Sequence, residues 1–227
     1  MPCSSKVRDT IQRKKENEKM EKKTMEKQKV SVKKQQWKPG NMLYPLPAVL
    51  VSLGREGEKP NMITVAWTGT VCTNPPMVYI SVRPERYSHA ILKETKTFVI
   101  NLTTEKLLKA TDYCGVRSGR DVDKFKETGL TAVPGPVTGC PMVEESPVNL
   151  ECRVKEIKAL GSHDLFLAEV VAVHVSEDYM EGNGRFRLNR TGLVAYSHGE
   201  YFSLGKSLGT FGYSVRKPAK KKAKRRR

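Results

Sequence analysis

The chain has 227 residues, and 41 Lys and Arg against 24 Asp and Glu give it a formal charge of +17. No stretch approaches the ~20 consecutive apolar residues of a membrane-spanning helix, and the basic N-terminus is not followed by the apolar segment of a secretory signal. The five cysteines form no CxxC or Cys/His metal spacing, which favours free thiols in a reducing cytoplasm over disulfides or a metal site.

The positive charge is concentrated at the two ends of the chain. Residues 1–38 carry 13 Lys and Arg against 5 acidic residues, and residues 214–227 carry 9 basic residues and no acidic one. The segment 39–213 is therefore neutral, and we predict one globular domain there between a basic N-terminal extension and a basic C-terminal tail. The two ends either bind nucleic acid or an acidic partner, or are solvated and disordered or partly helical.

The neutral segment is predicted to be mainly β with short helices. β-branched and alternating apolar residues predict strands, and Gly, Pro and Asn mark the turns between them. The predicted strands are 47–53, 61–73, 77–82, 98–102, 148–157 and 164–175, and the predicted helices are 88–95, 104–115 (ending at Gly115) and a short one within 121–129. The first three strands form a meander, and GSHD (161–164) links the last two as a hairpin. Long strands with short helices at the corners favour a closed or nearly closed antiparallel barrel.

The strand 148–157 alternates strictly between apolar and polar residues. Val148, Leu150, Cys152 and Val154 are predicted to face the core, and Asn149, Glu151, Arg153 and Lys155 to face solvent.

A corner between a predicted strand and a predicted helix, SVRPERYSHAI (81–91), collects groups that donate hydrogen bonds. Arg83 and Arg86 are planar cations that suit phosphate oxygens, and Tyr87 and His89 add further donors. Ser88 stands at the expected helix N-cap, where free backbone N–H groups favour an anion. The corner is either a phosphate site or a surface turn in which Ser88 only caps the helix and Arg86 pairs with a nearby glutamate.

Two further segments have both a functional and a structural interpretation. The strand NMITVAWTGTVCT (61–73) could present Thr64, Thr68 and Thr70 along the polar edge of a flat ring, or Trp67 could simply be packed in the core. His163, in GSHD, could act as a proton donor or substrate ligand, or could be an ordinary turn residue. No Rossmann, Walker A, HExxH or GxSxG motif occurs.

These segments together resemble the flavin reductase-like family, an FMN-binding split-barrel family, and within it the flavoredoxin-type branch. The resemblance rests on residues 61–102, on DYCGVRSGRDVDKF (112–125), on GSHDLFLAEVVAVHV (161–175) and on YFSLGKSLGTFG (201–212). It covers about 39–217 and leaves out both basic ends. It implies a six-stranded antiparallel Greek-key split barrel that forms a homodimer and binds FMN.

The resemblance also implies a set of site residues and an activity. Asn61, Met62, Thr64, Trp67, Thr68 and Thr70 would line the flavin ring, Ser81, Arg83, Arg86, Tyr87 and Ser88 would hold the phosphate, Asn101 would lie near the cofactor, and His163 would lie on the nicotinamide side. The expected activity is that of a flavin or ferric reductase, which takes a hydride from NADH or NADPH and passes electrons to free flavin, ferric iron or a redox protein. The alternative is a flavoredoxin-like electron carrier that does not use NAD(P)H.

Overall fold

A computed structural model describes residues 32–55 and 57–216 of the chain. The chain divides into two units, 1–42 and 43–227, and every helix and strand given below lies in the second. The predictions for residues 1–31 and 217–227 lie outside the described residues. Within the described part of the chain, no helix is long and apolar enough to cross a membrane.

Twelve strands and three α-helices follow one another along the described residues of the second unit. The strands are β1 (Leu46–Pro47), β2 (Val49–Leu53), β3 (Asn61–Val65), β4 (Thr68–Thr73), β5 (Pro76–Val82), β6 (Thr97–Leu102), β7 (Ala132–Pro134), β8 (Pro141–Val143), β9 (Val148–Ala159), β10 (Asp164–Val175), β11 (Val194–Ser197) and β12 (Glu200–Ser203). The helices are α1 (Tyr87–Thr95), α2 (Leu108–Val116) and α3 (Lys124–Thr128). Short 3₁₀ turns lie at Glu105–Leu107, Glu177–Tyr179, Leu188–Arg190 and Tyr213–Val215.

The main sheet has the strand order β3-β2-β6-β9-β10-β5-β4, and all its pairs are antiparallel. β3 and β4 are the two halves of the single strand predicted over 61–73, which breaks at Ala66 and Trp67. The first half pairs with β2 and the second with β5, so the chain itself joins the two edges of the sheet. Counted as one strand, 61–73 gives the six strands expected of the split barrel.

The path of the chain through the sheet is that of a Greek key. β2, the bent strand β3–β4 and β5 follow one another as a meander. Helix α1 then carries the chain back to β6, which pairs with β2 on its other side. Three consecutive strands with a fourth returning beside the first define the motif. This mainly β split-barrel architecture is the predicted fold class.

Two apolar clusters stabilise the fold. The barrel interior contains Val51, Leu53, Ile80, Phe98 and Phe166, all fully buried. Successive side chains of a strand point to opposite faces, so Leu50 and Met62 instead pack outside the barrel with Cys114 of α2 and Phe125 of α3. This second cluster fixes α2 and α3 against β3, next to the corner that precedes α1.

The prediction of a solvent-exposed face along β9 is wrong for the first half of the strand. Asn149 and Glu151 are buried, because the segment 134–146 covers this face, whereas Arg153 and Lys155 are exposed as expected. Glu151 accepts hydrogen bonds from Thr138 N (2.7 Å) and Thr138 Oγ1 (2.6 Å) in that segment. The alternation of apolar and polar residues within β9 could not predict that a distant loop would bury this face.

Candidate functional site

The structure of the corner between β5 and α1 differs from the prediction at one residue, Ser88. Ser88 is not the N-cap: α1 begins at Tyr87, Arg86 occupies the cap position, and no side chain of the described residues caps the helix. The turn that bonds Arg86 N to Arg83 O (3.1 Å) starts the helix earlier than expected. Ser88 is therefore inside the first turn, where only 2% of its surface is exposed.

Ser88 is held by Asn61, the first residue of β3. Asn61 Nδ2 donates to Ser88 Oγ over 2.9 Å, which leaves the hydroxyl proton of Ser88 free to donate to another group. Asn61 Oδ1 is buried and has no partner among the described residues. A side chain on Gly119 would overlap this oxygen, so the backbone of Gly119 passes directly over it. Buried polar atoms without a partner are rare in folded proteins, and this one marks a place where a ligand or a water can bind.

Ser88 and Arg86 line a small cavity of about 180 Å³, together with Arg117, Ser118, Gly119 and Lys124. We call it the basic cavity. Its lining supplies three cationic side chains from three separate parts of the chain, and Tyr87 and the exposed Glu85 border it. Guanidinium and ammonium groups only donate hydrogen bonds, and with the free proton of Ser88 they form a donor set suited to an anion.

Lys124 is the most unusual member of this set. It is the first residue of α3, is only 3% exposed, and donates from Nζ to the carbonyl oxygen of Cys114 over 2.8 Å. Burial lowers the pKa of Lys124 to about 8, an effect that the nearby Cys114 thiol opposes and the positive charge of Arg86 reinforces. A buried ammonium group normally has a charged partner, so its position next to a cavity is consistent with an anionic ligand.

A second, larger cavity of about 400 Å³ adjoins the first, and Ile63 and Arg86 line both. We call it the ring cavity. The predicted site residues that it brings together come from β3, from the break before β4, from the end of β5 and from the β9–β10 hairpin. They are Thr64, Trp67, Ser81, Arg83, Arg86 and His163.

His163 and Trp67 form one wall of the ring cavity. Their ring centroids are 4.3 Å apart with an interplanar angle of 41°. Burial, and then the positive charge of Arg83, lower the pKa of His163, which favours the neutral imidazole at pH 7. The adjacent Asp164 accepts a hydrogen bond at Oδ2 from His89 Nε2 (2.8 Å), which anchors the start of β10 to α1.

The hairpin β11–β12 also contributes to the lining of the ring cavity. Tyr196 and Tyr201 line it, and Tyr201 donates from its hydroxyl to Asp112 Oδ1 of α2 over 3.2 Å. Burial, and then the charge of Asp112, raise the pKa of Tyr201 to about 12. The helix itself approaches closely at Gly115, which was predicted to end α2 but lies inside it. A Cβ there would be 3.3 Å from Cβ of Thr64.

Five of the predicted site residues do not line either cavity: Asn61, which bonds to Ser88 of the basic cavity, and Met62, Thr68, Thr70 and Asn101. Met62 is fully buried beneath α2 and α3, and Thr70 is exposed on β4. Thr68 donates to Tyr79 O (2.6 Å). Asn101 is fully buried: its amide donates to Leu50 O (2.9 Å), and its oxygen accepts from Val143 N (2.9 Å). These contacts give Asn101 a place in the hydrogen-bonded core.

Comparison with known families gives a match to the flavin reductase like domain over residues 42–205. The chain belongs to the flavin reductase-like family. Among curated proteins it is 32% identical to an uncharacterized protein of Archaeoglobus fulgidus over 165 residues, which covers 73% of this chain and 91% of the relative. It is 27% identical over 148 residues to a protein of Streptomyces globisporus named NADH-dependent FAD reductase, covering 63% of this chain and 79% of the relative.

Solved structures of this family share the fold. Flavoredoxin of Desulfovibrio vulgaris is 28% identical, with a TM-score of 0.75 over 81% of this chain and 100% of that one. An FMN-binding protein from Thermus thermophilus is 27% identical, with a TM-score of 0.66 over 79% of this chain and 98% of that one. The family and the split-barrel fold expected from the sequence are thereby confirmed.

Within this flavin reductase-like domain, the residues that sequence reasoning missed are Lys124, Arg117, Gly119, Tyr196 and Tyr201. The first three lie in DYCGVRSGRDVDKF, a segment that carries part of the resemblance. Its density of Arg, Lys and Gly was a signal of an anion site, but nothing local shows that Lys124 is buried. The two tyrosines reach the ring cavity through a hairpin far along the chain, and no local pattern indicates that position.

Proposed function

We propose that the protein is an FMN-binding oxidoreductase in which the basic cavity holds the flavin phosphate and the ring cavity holds the isoalloxazine ring. The donor set of the basic cavity is the observation that carries the proposal. A phosphate monoester has a charge of about −1.5 to −2 near neutral pH. Arg86, Arg117, Lys124 and the free hydroxyl proton of Ser88 match that charge with donors alone.

The linker between the two parts of FMN also has a fitting partner. Asn61 Oδ1 is a buried acceptor that lacks a donor and lies beside Ser88. The hydroxyl groups of the ribityl chain are donors of the kind that this oxygen needs. A ribityl hydroxyl would thus supply the donor that this buried oxygen lacks among the described residues.

The ring cavity has the features that a planar ring with a polar edge requires. Trp67 and His163 provide flat faces, and Tyr196 also lines the cavity. The backbone at Ala66 lies between β3 and β4, outside both hydrogen-bonded ladders. Its polar groups are therefore available to the edge of a flavin. When bound, FMN would supply the hydride and electron transfer, while these residues bind and orient it.

In the proposed reaction, NADH or NADPH delivers a hydride to the bound flavin, and the electrons pass on to free flavin, ferric iron or a redox protein. Relatives named NADH-dependent FAD reductase and NADPH-flavin oxidoreductase support this activity. The neutral His163, next to Trp67, is the residue proposed to contact the nicotinamide.

The test is to purify the protein, identify the released flavin, and mix the flavin-loaded protein anaerobically with each nicotinamide in a stopped-flow instrument. Bleaching of the flavin absorbance is expected; a protein that binds no added FMN would refute the proposal.

A second candidate function is a flavoredoxin-like electron carrier, which the similarity to flavoredoxin of Desulfovibrio vulgaris favours. Such a protein would be reduced by another redox protein. The same stopped-flow experiment separates the two functions. Flavin that is bleached by dithionite but by neither NADH nor NADPH would support the carrier and exclude the reductase.

We also propose that the protein is a homodimer in the cytoplasm. The segment after β12 exposes large apolar side chains: Leu208 is 88%, Phe211 105% and Val215 84% exposed. Exposed apolar patches mark interaction surfaces, and a second copy of the chain is the proposed partner. A solution mass of a single chain by light scattering would contradict the dimer. The cytoplasmic location is proposed from the sequence, whose odd number of cysteines without CxxC or metal spacing favours a reducing compartment.

A further inference from the structure

Lys124 lies where an ammonium group is difficult to keep charged. Its side chain is almost fully buried, and the bond to Cys114 O uses only one of its three donors. Among the ion pairs of the described residues, none includes Lys124. A buried charge without an opposite charge is unfavourable, and the usual response is to lose the proton.

The charged groups around Lys124 do not compensate for this burial. Arg86, before α1, and Arg117, after α2, are both cationic. Glu85 also borders the basic cavity, but it is exposed and lies 3.4 Å from Arg83, which already pairs with it. From α2 the facing group is Cys114, whose thiol pKa is raised to about 11 by burial, so it stays neutral. From β3, residues 61–65 contribute no ionisable side chain.

We propose that Lys124 couples flavin capture to proton uptake: it is partly neutral in the free protein and takes a proton from solvent when a phosphate monoester enters the basic cavity. The inference rests on the proposed function, since it concerns the phosphate of the same flavin. A dianion next to Lys124 favours the charged form of the amine, and by linkage the proton favours the dianion. The phosphate thus supplies the opposite charge that the described residues do not.

This coupling has a consequence for the release of flavin. At pH values at which Lys124 is already charged in the free protein, flavin binding does not depend on its protonation. As pH rises above the pKa of about 8, each flavin bound must also bring in a proton, and the affinity for FMN falls by up to about tenfold per pH unit. Riboflavin, which lacks the phosphate, provides no charge to Lys124 and is not expected to bring in a proton.

The number of protons can be counted by isothermal titration calorimetry. FMN is titrated into the flavin-free full-length protein in two buffers of different ionisation enthalpy. At about pH 8.5, a lysine with a pKa of about 8 is roughly three-quarters neutral, so we expect an uptake of about 0.7 proton per FMN. Riboflavin in the same experiment is the matched ligand control, and it should show no such uptake.

Two variants assign the proton to Lys124. Lys124→Arg carries a permanent charge, so it should bind FMN with no proton uptake and with an affinity that does not fall between about pH 7.5 and 9. Lys124→Met, which also avoids any difficulty of fitting the larger guanidinium, should lose both the uptake and much of the affinity. Lys126→Arg, an exposed position on the same helix, is the control and should behave as the wild type.

The outcomes separate this inference from the proposed function. FMN binding by the wild type without proton uptake at about pH 8.5 would overturn the inference and leave the function standing. An unchanged uptake in Lys124→Met would do the same. If FMN did not bind at all, the proposed function would fail, and the inference would fail with it.

Discussion

Arg83 and Arg86 are equivalent candidates in the sequence, and the structure distinguishes them. Arg86 lines both the basic cavity and the ring cavity. The side chain of Arg83 is 51% exposed, lies 3.4 Å from Glu85, and lines only the ring cavity. Both residues are exposed, but Arg83 already forms an ion pair of small free energy with Glu85, whereas Arg86 would make a charge-assisted bond to the proposed phosphate.

We therefore predict unequal effects of the two alanine substitutions. Arg86→Ala should weaken FMN binding by about 1.5–3 kcal/mol, or about 10- to 150-fold, because one charge-assisted bond to the phosphate is lost. Arg83→Ala should weaken it by less than about 1 kcal/mol, or about fivefold. Fluorescence titration of FMN into the flavin-free variants measures both. Wild-type affinity in Arg86→Ala would remove this residue from the phosphate site.

His163 allows a second prediction at the residue scale, because it lies against Trp67 in the ring cavity and is not part of the basic cavity. His163→Gln should leave FMN affinity unchanged and slow the reduction of the flavin by NADH or NADPH. Since burial and Arg83 lower the pKa of His163, the wild-type rate should change only as pH falls below about 6.5, the ordinary histidine pKa. Anaerobic stopped-flow measurements across pH test this.

The variants provide the matching controls for this pH dependence. The acidic change in rate should be absent in His163→Gln. In Arg83→Ala it should move to higher pH, because a positive charge that disfavours the imidazolium has been removed. Reduction kinetics in His163→Gln that equal those of the wild type would leave His163 as an ordinary turn residue.

At the scale of elements, local pattern predicted those features that depend on local residues. The strand β10 and the helix α1 follow from alternation and from helical periodicity within a few residues of sequence. The predicted cap at Ser88 was wrong because a local turn between Arg83 and Arg86 starts the helix earlier. The predicted exposed face of β9 was wrong because the distant segment 134–146 covers Glu151, and the contact of Ser88 with Asn61 of β3 is likewise made between distant residues. Such contacts are made by folding, and no periodicity within one segment contains them.

The contacts of Glu151 show how the segment 134–146 stabilises the fold. Burial alone would raise its pKa, but hydrogen bonds from Thr138, His174 and the backbone N–H of Val137 lower it below the ordinary value. Because the folded-state pKa is depressed, the stabilisation is present above the unfolded pKa of about 4.5 and is lost as pH falls through the folded-state pKa.

We predict that Glu151→Gln destabilises the protein by about 1.5–3 kcal/mol at pH 7, since the amide presents donors to groups that are themselves donors. Urea denaturation measures the free energy of unfolding. The difference from the wild type should shrink as the pH is lowered well below 4.5, where the wild-type carboxylate becomes protonated. Glu156→Gln, at an exposed position on the same strand, is the control and should have no effect. An equal loss in both variants would show that the buried contacts do not matter.

At the scale of the whole molecule, the site was predictable in outline and not in its closest contacts. Thr64, Trp67, Arg86 and His163 come from three distant parts of the chain, and only the family resemblance indicated that they meet. The structure brings them to one cavity. Lys124 became visible only when the packing of α3 against β3 placed it next to Arg86 and Ser88.

The charge of the molecule is unevenly distributed along the chain, and this distribution leads to a prediction about the two ends. The basic corner at Arg86 belongs to a segment, 39–213, with no net charge, whereas the ends carry +8 and +9. Nucleic-acid affinity rises with the number of cations that contact phosphates, and its dependence on salt reports that number. Any binding of nucleic acid should therefore come from the ends, and flavin binding from the barrel.

Deleting residues 1–36 and 214–227 tests this separation. We expect the shortened protein to retain its full flavin content and its affinity for FMN, and to lose binding to a single-stranded RNA or to heparin. The full-length protein should bind either polyanion with a steep decrease in affinity as salt increases. Filter binding over a range of salt concentrations, with flavin absorbance measured on the same samples, gives both readouts. A shortened protein that still bound RNA with a steep salt dependence would mean that cations of the barrel, Arg83 and Arg86 among them, form a nucleic-acid surface.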